Sequence, residues 1–252
     1  MIRNLAAYRF VRIDDPQSLA AAVRAQAGAR NLRGTVLIAG EGINLFLAGE
    51  PAAAEGFMDW LRSDARFAGL QPKSSDSAQV PFARLKVKVK REIIAFRGVG
   101  PSPLDGRAEA VSPRTLAAWL ARGSDDRGRR VLLLDTRNRE ETAYGSFAGA
   151  MTLPIDNFTD LPAAVEQRRE QLRDATVVSF CTGGIRCEKA ALWMREAGFG
   201  NVLQLEGGIL EYFEQVGGAG YEGRCFVFDG RIALDPELRP LVDGDADLEH
   251  AA

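Results

Sequence analysis

The stretch that most constrains the fold of this 252-residue chain is TVVSFCTGGIRCEKAALWMREAG, from Thr176 to Gly198. TVVSF is too short for a helix and too continuously apolar for a strand with one wet face, so it reads as a strand buried on both sides. The period then changes: Ala190, Trp193, Met194 and Ala197 follow a helical pattern until Gly198 stops it. Between strand and helix lies a six-residue loop, Cys181 to Arg186, containing Gly183 and Gly184. VLLLD (131–135) and NVLQLEGG (201–208) are two more short runs separated by helical stretches. Parallel strands cannot be joined by tight turns and need crossovers, so this order predicts a parallel α/β sheet over 114–222.

The first hundred residues read differently. The pattern predicts strand (Leu5 to Ile13), helix (Pro16 to Ala27), strand (Thr35 to Ala39), strand (Ile43 to Ala48), helix (Pro51 to Asp64) and strand (Leu85 to Phe96). Gly40, Glu41 and Gly42 supply the turn between the middle strands. This is the β-α-β-β-α-β order of a ferredoxin-like α+β sandwich, expected over 1–98. GVGPSPLDGRAEAVSP (98–113) has three prolines, three glycines and no apolar period, so 99–113 is expected to be a linker. Residues 223–252 read as a C-terminal extension with one strand around Phe226 and a disordered final ten residues.

Composition excludes several chemistries. No segment approaches the apolar length of a membrane span, and MIRNLAAYRFVRIDDP has charges where a signal peptide has its apolar run. A cytoplasmic protein that does not enter membranes is expected. The sole histidine, His250, lies near the C-terminus, which leaves no partner for a Cys-His or Ser-His pair and few donors for a metal. The expectation is therefore no bound metal. Three cysteines, Cys181, Cys187 and Cys225, are too few for a disulfide framework. Charge is uneven: residues 1–110 hold 16 Lys and Arg against 11 Asp and Glu, while the remainder holds 16 against 23. The basic first part suits a polyanion, although scattered solvated charge gives the same count.

The loop carries the chemistry. Backbone N–H groups at a helix start converge on an anion, the helix dipole adds positive potential, and Thr182, Gly183, Gly184 and Ile185 are the residues that would wrap it. A cysteine inside such a cradle is acidified, and Arg186 adds charge, so Cys181 is expected to be a thiolate. The blander alternative is a structural cysteine at a strand end. Cys187, in the first helical turn, is a candidate resolving thiol or a packed inert one. Cys225 reads as structural, and Asp135 with Arg137 as an ion pair holding a loop. In RLKVKVKR, Arg84, Lys86, Lys88 and Lys90 alternate with Leu85, Val87 and Val89, which puts all four cations on one face of a strand. They are candidate RNA contacts, or a solvated edge.

A cysteine and an arginine five positions apart in a strand-loop-helix, with DTRNREETAYGSFAGAMTLP (135–154) upstream, resemble the rhodanese domain. Cysteine phosphatases use a loop one residue longer. GTVLIAGEGINLFLAG, PFARLKVKVKREI, CTGGIRCEKA, EGGILEY and CFVFDGR resemble the bacterial tRNA uridine hydroxylases, which pair a ferredoxin-like domain with a rhodanese domain. The resemblance implies an essential Cys181, oxygen-dependent conversion of the wobble uridine to 5-hydroxyuridine, and contact with the anticodon region of tRNA. It implies molecular oxygen as co-substrate and no protein-bound cofactor. The rival reading is a sulfurtransferase that carries sulfur as a Cys181 persulfide.

Overall fold

The computed structural model describes residues 1–243 and divides into two compact units. Unit 1 comprises Met1–Ile94 with Phe228–Ile232 and the described residues from Arg239. Unit 2 comprises Ala95–Val227 and Ala233–Leu238. Among the described residues no helix is long and apolar enough to cross a membrane.

Unit 1 contains β1 (Ile2–Phe10), α1 (Pro16–Ala29), β2 (Arg33–Ala39), β3 (Gly42–Gly49), α2 (Pro51–Arg62), β4 (Lys73–Ser77) and β5 (Leu85–Val89). Helix α1 starts where it does because Asp15 accepts the Ser18 N–H at 3.1 Å and Pro16 occupies the first turn. The strands order as β4-β1-β3-β2-β5, antiparallel except for the parallel β2/β5 pair. Helical residues Val23, Ala27, Phe57, Met58 and Leu61 pack on Leu5, Val36, Ile38, Ile43 and Leu45 of the sheet, and all of them are buried.

The ferredoxin-like order holds, but its last strand is not the expected one. Leu85 to Phe96 was the expected sixth element. Instead β4 closes the sandwich beside β1, and Leu85–Val89 is an added strand at the opposite edge. KSSDS has no apolar period because its pairing rests on polar groups. Asp76 pairs with Arg3 at 2.7 Å, and Asn4 Nδ2 donates to Ser77 Oγ at 2.9 Å. β5 stops at Val89, and the chain turns so that the Ile93 N–H donates to Glu41 at 2.7 Å.

Unit 2 runs through β6 (Ala110–Val111), α3 (Pro113–Arg122), β7 (Val131–Asp135), α4 (Arg139–Thr142), β8 (Gly145–Phe147), α5 (Leu161–Glu166), α6 (Arg169–Leu172) and β9 (Thr176–Phe180). α7 (Ile185–Glu196), β10 (Asn201–Leu205), α8 (Gly208–Val216), β11 (Tyr221–Gly223), β12 (Cys225–Phe226) and β13 (Ala233–Leu234) complete it. Its main sheet is wholly parallel, in the order β6-β10-β9-β7. The stretch expected to be a linker is therefore part of this unit: Ala110–Val111 forms an edge strand on β10, and Ser112 caps α3 by accepting the Thr115 N–H at 3.1 Å. Prolines and glycines disguised it, since a two-residue edge strand leaves no periodic trace. The 223–252 extension is likewise shared between the units. Apart from Asp243, its expected disordered end, with His250, lies outside the described residues.

Candidate active site

β9 lies between β10 and β7, and all five of its residues are buried, which explains its unbroken apolar sequence. Its last residue, Phe180, is fully buried and meets Phe147 edge to face at a centroid distance of 5.0 Å. Cys181 therefore leaves the C-terminal end of a rigid central strand, the place where open α/β sheets build sites.

The loop wraps the cysteine sulfur. The Gly184 N–H donates to Cys181 Sγ at 3.1 Å, and Gly184 takes a left-handed φ of 95° as α7 begins. Burial alone would raise the Cys181 thiol. It is outweighed by a hydrogen bond from Cys187, the Arg186 charge and the N–H groups of Arg186 and Gly184, which leave it lowered to about 6. Cys187 shifts the other way. Burial first, then its hydrogen bond to Cys181 and the charge there, push it well above its ordinary value. The two neighbouring sulfurs are thus shifted in opposite directions, Cys181 toward the thiolate and Cys187 toward the thiol. Cys187 also lies 3.7 Å from Thr136 Oγ1. Cys225 is fully buried and is pushed up to about 11, chiefly by burial.

The Arg186 guanidinium, whose charge helps lower the cysteine, does not point its hydrogen bonds at the sulfur. Its two terminal nitrogens donate to the two carboxylate oxygens of Glu141 at 2.6 and 2.5 Å, a forked pair with almost no exposure. Burial would raise the Glu141 carboxyl, but Arg186 and the Asn138 N–H, 3.0 Å away, hold it below its ordinary value. Sequence reasoning passed over Glu141, although it lies within the quoted upstream motif. No local pattern separates it from Glu140, its exposed neighbour.

Asp135 and Arg137 form the ion pair expected of them. Arg137 Nε and Nη2 donate to Asp135 at 2.9 and 2.6 Å, with both residues fully buried, and Nη2 also donates to the Gly145 carbonyl at 2.7 Å. Between them, Thr136 donates its hydroxyl to the Phe180 carbonyl at 2.9 Å and so clamps the strand end just before Cys181. Thr182 lies 3.5 Å from Glu141 and 3.4 Å from the Phe226 carbonyl, both at the long limit for a hydrogen bond.

A second helix start holds the loop from behind. The Ile209 and Leu210 N–H groups of α8 donate to the Cys181 and Thr182 carbonyls at 3.0 and 3.1 Å. Only glycine fits at 208: its φ is +69°, and a Cβ there would sit 2.4 Å from the Cys181 carbonyl oxygen and 2.7 Å from the Gly184 nitrogen. Gly208→Ala is expected to cost ~1–2 kcal/mol in backbone conformation alone. It should also displace the Gly184 N–H from the sulfur. Titration of the Cys181 thiol should then move back upward relative to wild type, while an unmoved value would contradict the role given to α8.

Of the candidate RNA contacts, Arg84, Lys86, Lys88 and Lys90 are all exposed, with Leu85 and Val87 turned toward the core. They belong to unit 1, whereas Cys181 belongs to unit 2. Among the described residues no group of three or more His, Cys, Asp or Glu is arranged to hold a metal ion.

A parallel sheet whose central strand ends in an anion-wrapping cysteine loop, braced by a buried Asp-Arg pair, is a rhodanese-type domain. A family model described as a rhodanese-like domain matches residues 116–215, and one described as a UPF0176 acylphosphatase like domain matches 2–93. The chain is 66% identical over 245 residues to the tRNA uridine(34) hydroxylase of Xanthomonas euvesicatoria pv. vesicatoria, covering 97% of this chain and 99% of that one. It is 64% identical over 243 residues to the protein of the same name from Xylella fastidiosa, covering 96% and 95%. The chain belongs to the tRNA uridine(34) hydroxylases, a family of enzymes. A solved rhodanese-like domain from Anabaena has 23% identity, covering 45% of this chain and 78% of that one, but its TM-score of 0.37 is too low to add anything.

Proposed function

We propose that this chain hydroxylates uridine 34 of tRNA at C5, in the cytoplasm, with molecular oxygen as co-substrate and the Cys181 thiolate as nucleophile. The observation that carries this reading is the sulfur itself: a cysteine lowered to about 6, with a backbone N–H 3.1 Å from it, in a chain whose close relatives bear that activity in their name.

The thiolate adds to C6 of the base, and the C5=C6 electron pair moves onto C5 and its carbonyl as an enolate. The enolate takes up oxygen and a proton to give a C5 hydroperoxide. An external two-electron donor of the thiol class cleaves the O–O bond, leaving a C5 hydroxyl and releasing water. Loss of the C5 proton then expels the thiolate and restores the double bond. In this scheme the loop N–H groups stabilise the sulfur each time it carries charge, and Cys187 supplies a hydrogen bond to the departing thiolate. Cys181 is only 1% exposed, so the base must part its covering groups before attack.

The test is nucleoside mass spectrometry of unmodified tRNA incubated with the protein in air and under nitrogen, with a dithiol present. One added oxygen on uridine 34 in air alone is the expected result. No added oxygen, together with one added sulfur on the protein after thiosulfate treatment, would replace this reading with the sulfurtransferase one. A pH profile follows from the lowered cysteine. Because the thiolate is the reactive form, kcat/KM should rise with pH up to about 6 and level off above it, whereas an ordinary thiol would keep rising to about 9.

A further inference from the structure

The sheet of unit 1 has a second face, turned away from its two helices. Leu5, Ala7, Val36, Ile38, Leu45 and Val87 turn toward α1 and α2, so the alternate positions on the same strands face the other way. Across that second face the strand register places Lys73, Ala6, Phe46, Thr35 and Lys86 side by side on five adjacent strands. Phe46 stands at the centre with 36% of its surface exposed, while Ala6 and Thr35 are too short to cover it. Both ends of the row are lysines. Lys73 lies 5.9 Å from the centre of the Tyr8 ring on the same face, and exposed Lys86 is followed on its strand by exposed Lys88. The chain has only five lysines, Lys73, Lys86, Lys88, Lys90 and Lys189, and four of them lie on or beside this sheet. Exposed Arg33, at the start of β2, lines a cleft of about 330 Å³ together with Phe82.

We propose that this row is a stacking platform for an unpaired base of the RNA substrate, with the lysines at its two ends and Arg33 holding the flanking phosphates. The proposal rests on the tRNA reading above and deepens it. A central exposed aromatic group framed by cations is the arrangement by which sheets bind single-stranded RNA: the ring stacks with any base, and the cations track the backbone. With strands about 4.8 Å apart, four strand spacings separate the terminal lysine positions by roughly 19 Å, enough for a short run of nucleotides. A protein partner is a poorer fit. Phe46 is the one large apolar side chain exposed in this five-residue row, far less than the apolar core of a stable interface.

The experiment is fluorescence anisotropy with two labelled probes, an unmodified tRNA transcript and an eight-residue oligouridylate, at fixed salt. Phe46→Ala should weaken binding of both by about tenfold or more, since each stacked base contributes on that scale, and should leave the salt dependence unchanged. Phe46→Tyr should restore wild-type affinity. The Lys86→Ala/Lys88→Ala double variant should instead lower the slope of log affinity against log salt by about 2. Wild-type affinity in a folded Phe46→Ala protein would overturn the platform, and if self-association were lost in that variant the face would be assigned to a second copy. The two readings separate cleanly. Normal hydroxylation with normal binding by Phe46→Ala removes the platform alone, whereas Phe46-dependent binding by a wild type that adds no oxygen removes the hydroxylase reading alone.

Discussion

Cys181→Ser protein is expected to fold, to bind tRNA with wild-type affinity and to add no measurable oxygen to uridine. Serine nearly preserves the shape of cysteine, and the Gly184 N–H, now 3.1 Å from the sulfur, keeps an acceptor in the hydroxyl. What disappears is the anion. Among the described residues there is no histidine to take the proton of a serine hydroxyl in this loop, and the groups that lower the cysteine cannot lower an alcohol far enough to ionise it near neutral pH. Removing the nucleophile of an enzyme costs many orders of magnitude, up to about a millionfold in kcat. The measurement is nucleoside mass spectrometry beside an anisotropy titration on the same preparation. Unimpaired 5-hydroxyuridine formation by Cys181→Ser would remove the covalent mechanism, and lost tRNA binding would mean that the substitution had disturbed more than the sulfur.

The largest stability effect is expected from Glu141→Ala. Glu141 holds both terminal nitrogens of Arg186 at 2.6 and 2.5 Å, and the two side chains are 0% and 8% exposed. Taking away one member of such a pair strands a buried charge, at a cost of about 3–5 kcal/mol. For a chain of this size that is a fall of roughly 10 °C in melting temperature. A Glu141→Leu/Arg186→Met double variant should recover most of the stability, because a buried pair replaced by apolar groups of similar volume costs little. It should not recover activity, since Arg186 is also one of the groups that holds the cysteine down. Recovery of both would reduce Arg186 to a packing element. The sign with pH follows from the lowered Glu141 carboxyl. Its contribution is fully present above its ordinary value of 4.5 and is lost as pH falls below that, so the wild-type advantage over Glu141→Ala should shrink in acid.

What could be read in advance was whatever depends on residues near one another in the chain. TVVSF announced a buried central strand, and CTGGIR announced a cradle at a helix start, because period, turn chemistry and helix polarity are local. The ferredoxin-like order emerged for the same reason. In the two main sheets two strands escaped, each through a local cause. KSSDS pairs through serine, asparagine and an Arg3–Asp76 bridge rather than through apolar contacts, and Ala110–Val111 is too short to show any period. The alternation in LKVKV was correctly read as a strand with its cations on one face, but not which edge of the sheet it joins, since the partner of an edge strand leaves no mark in its own sequence.

The two kinds of domain, the cysteine at the end of the central strand and the glycine loop that wraps it were thus legible in local sequence. Long-range packing alone gives Glu141 the side chain of Arg186, leaving its backbone N–H and its charge to serve the sulfur, and buries Cys187 beside Cys181 so that its thiol is pushed up. It likewise decided that Gly208 abuts the loop from another helix, and that Phe46 stands between Lys73 and Lys86. Each of these depends on a partner tens of residues away or on the register between strands. Folding sets such distances through packing and long-range hydrogen bonds, which no window of local sequence contains.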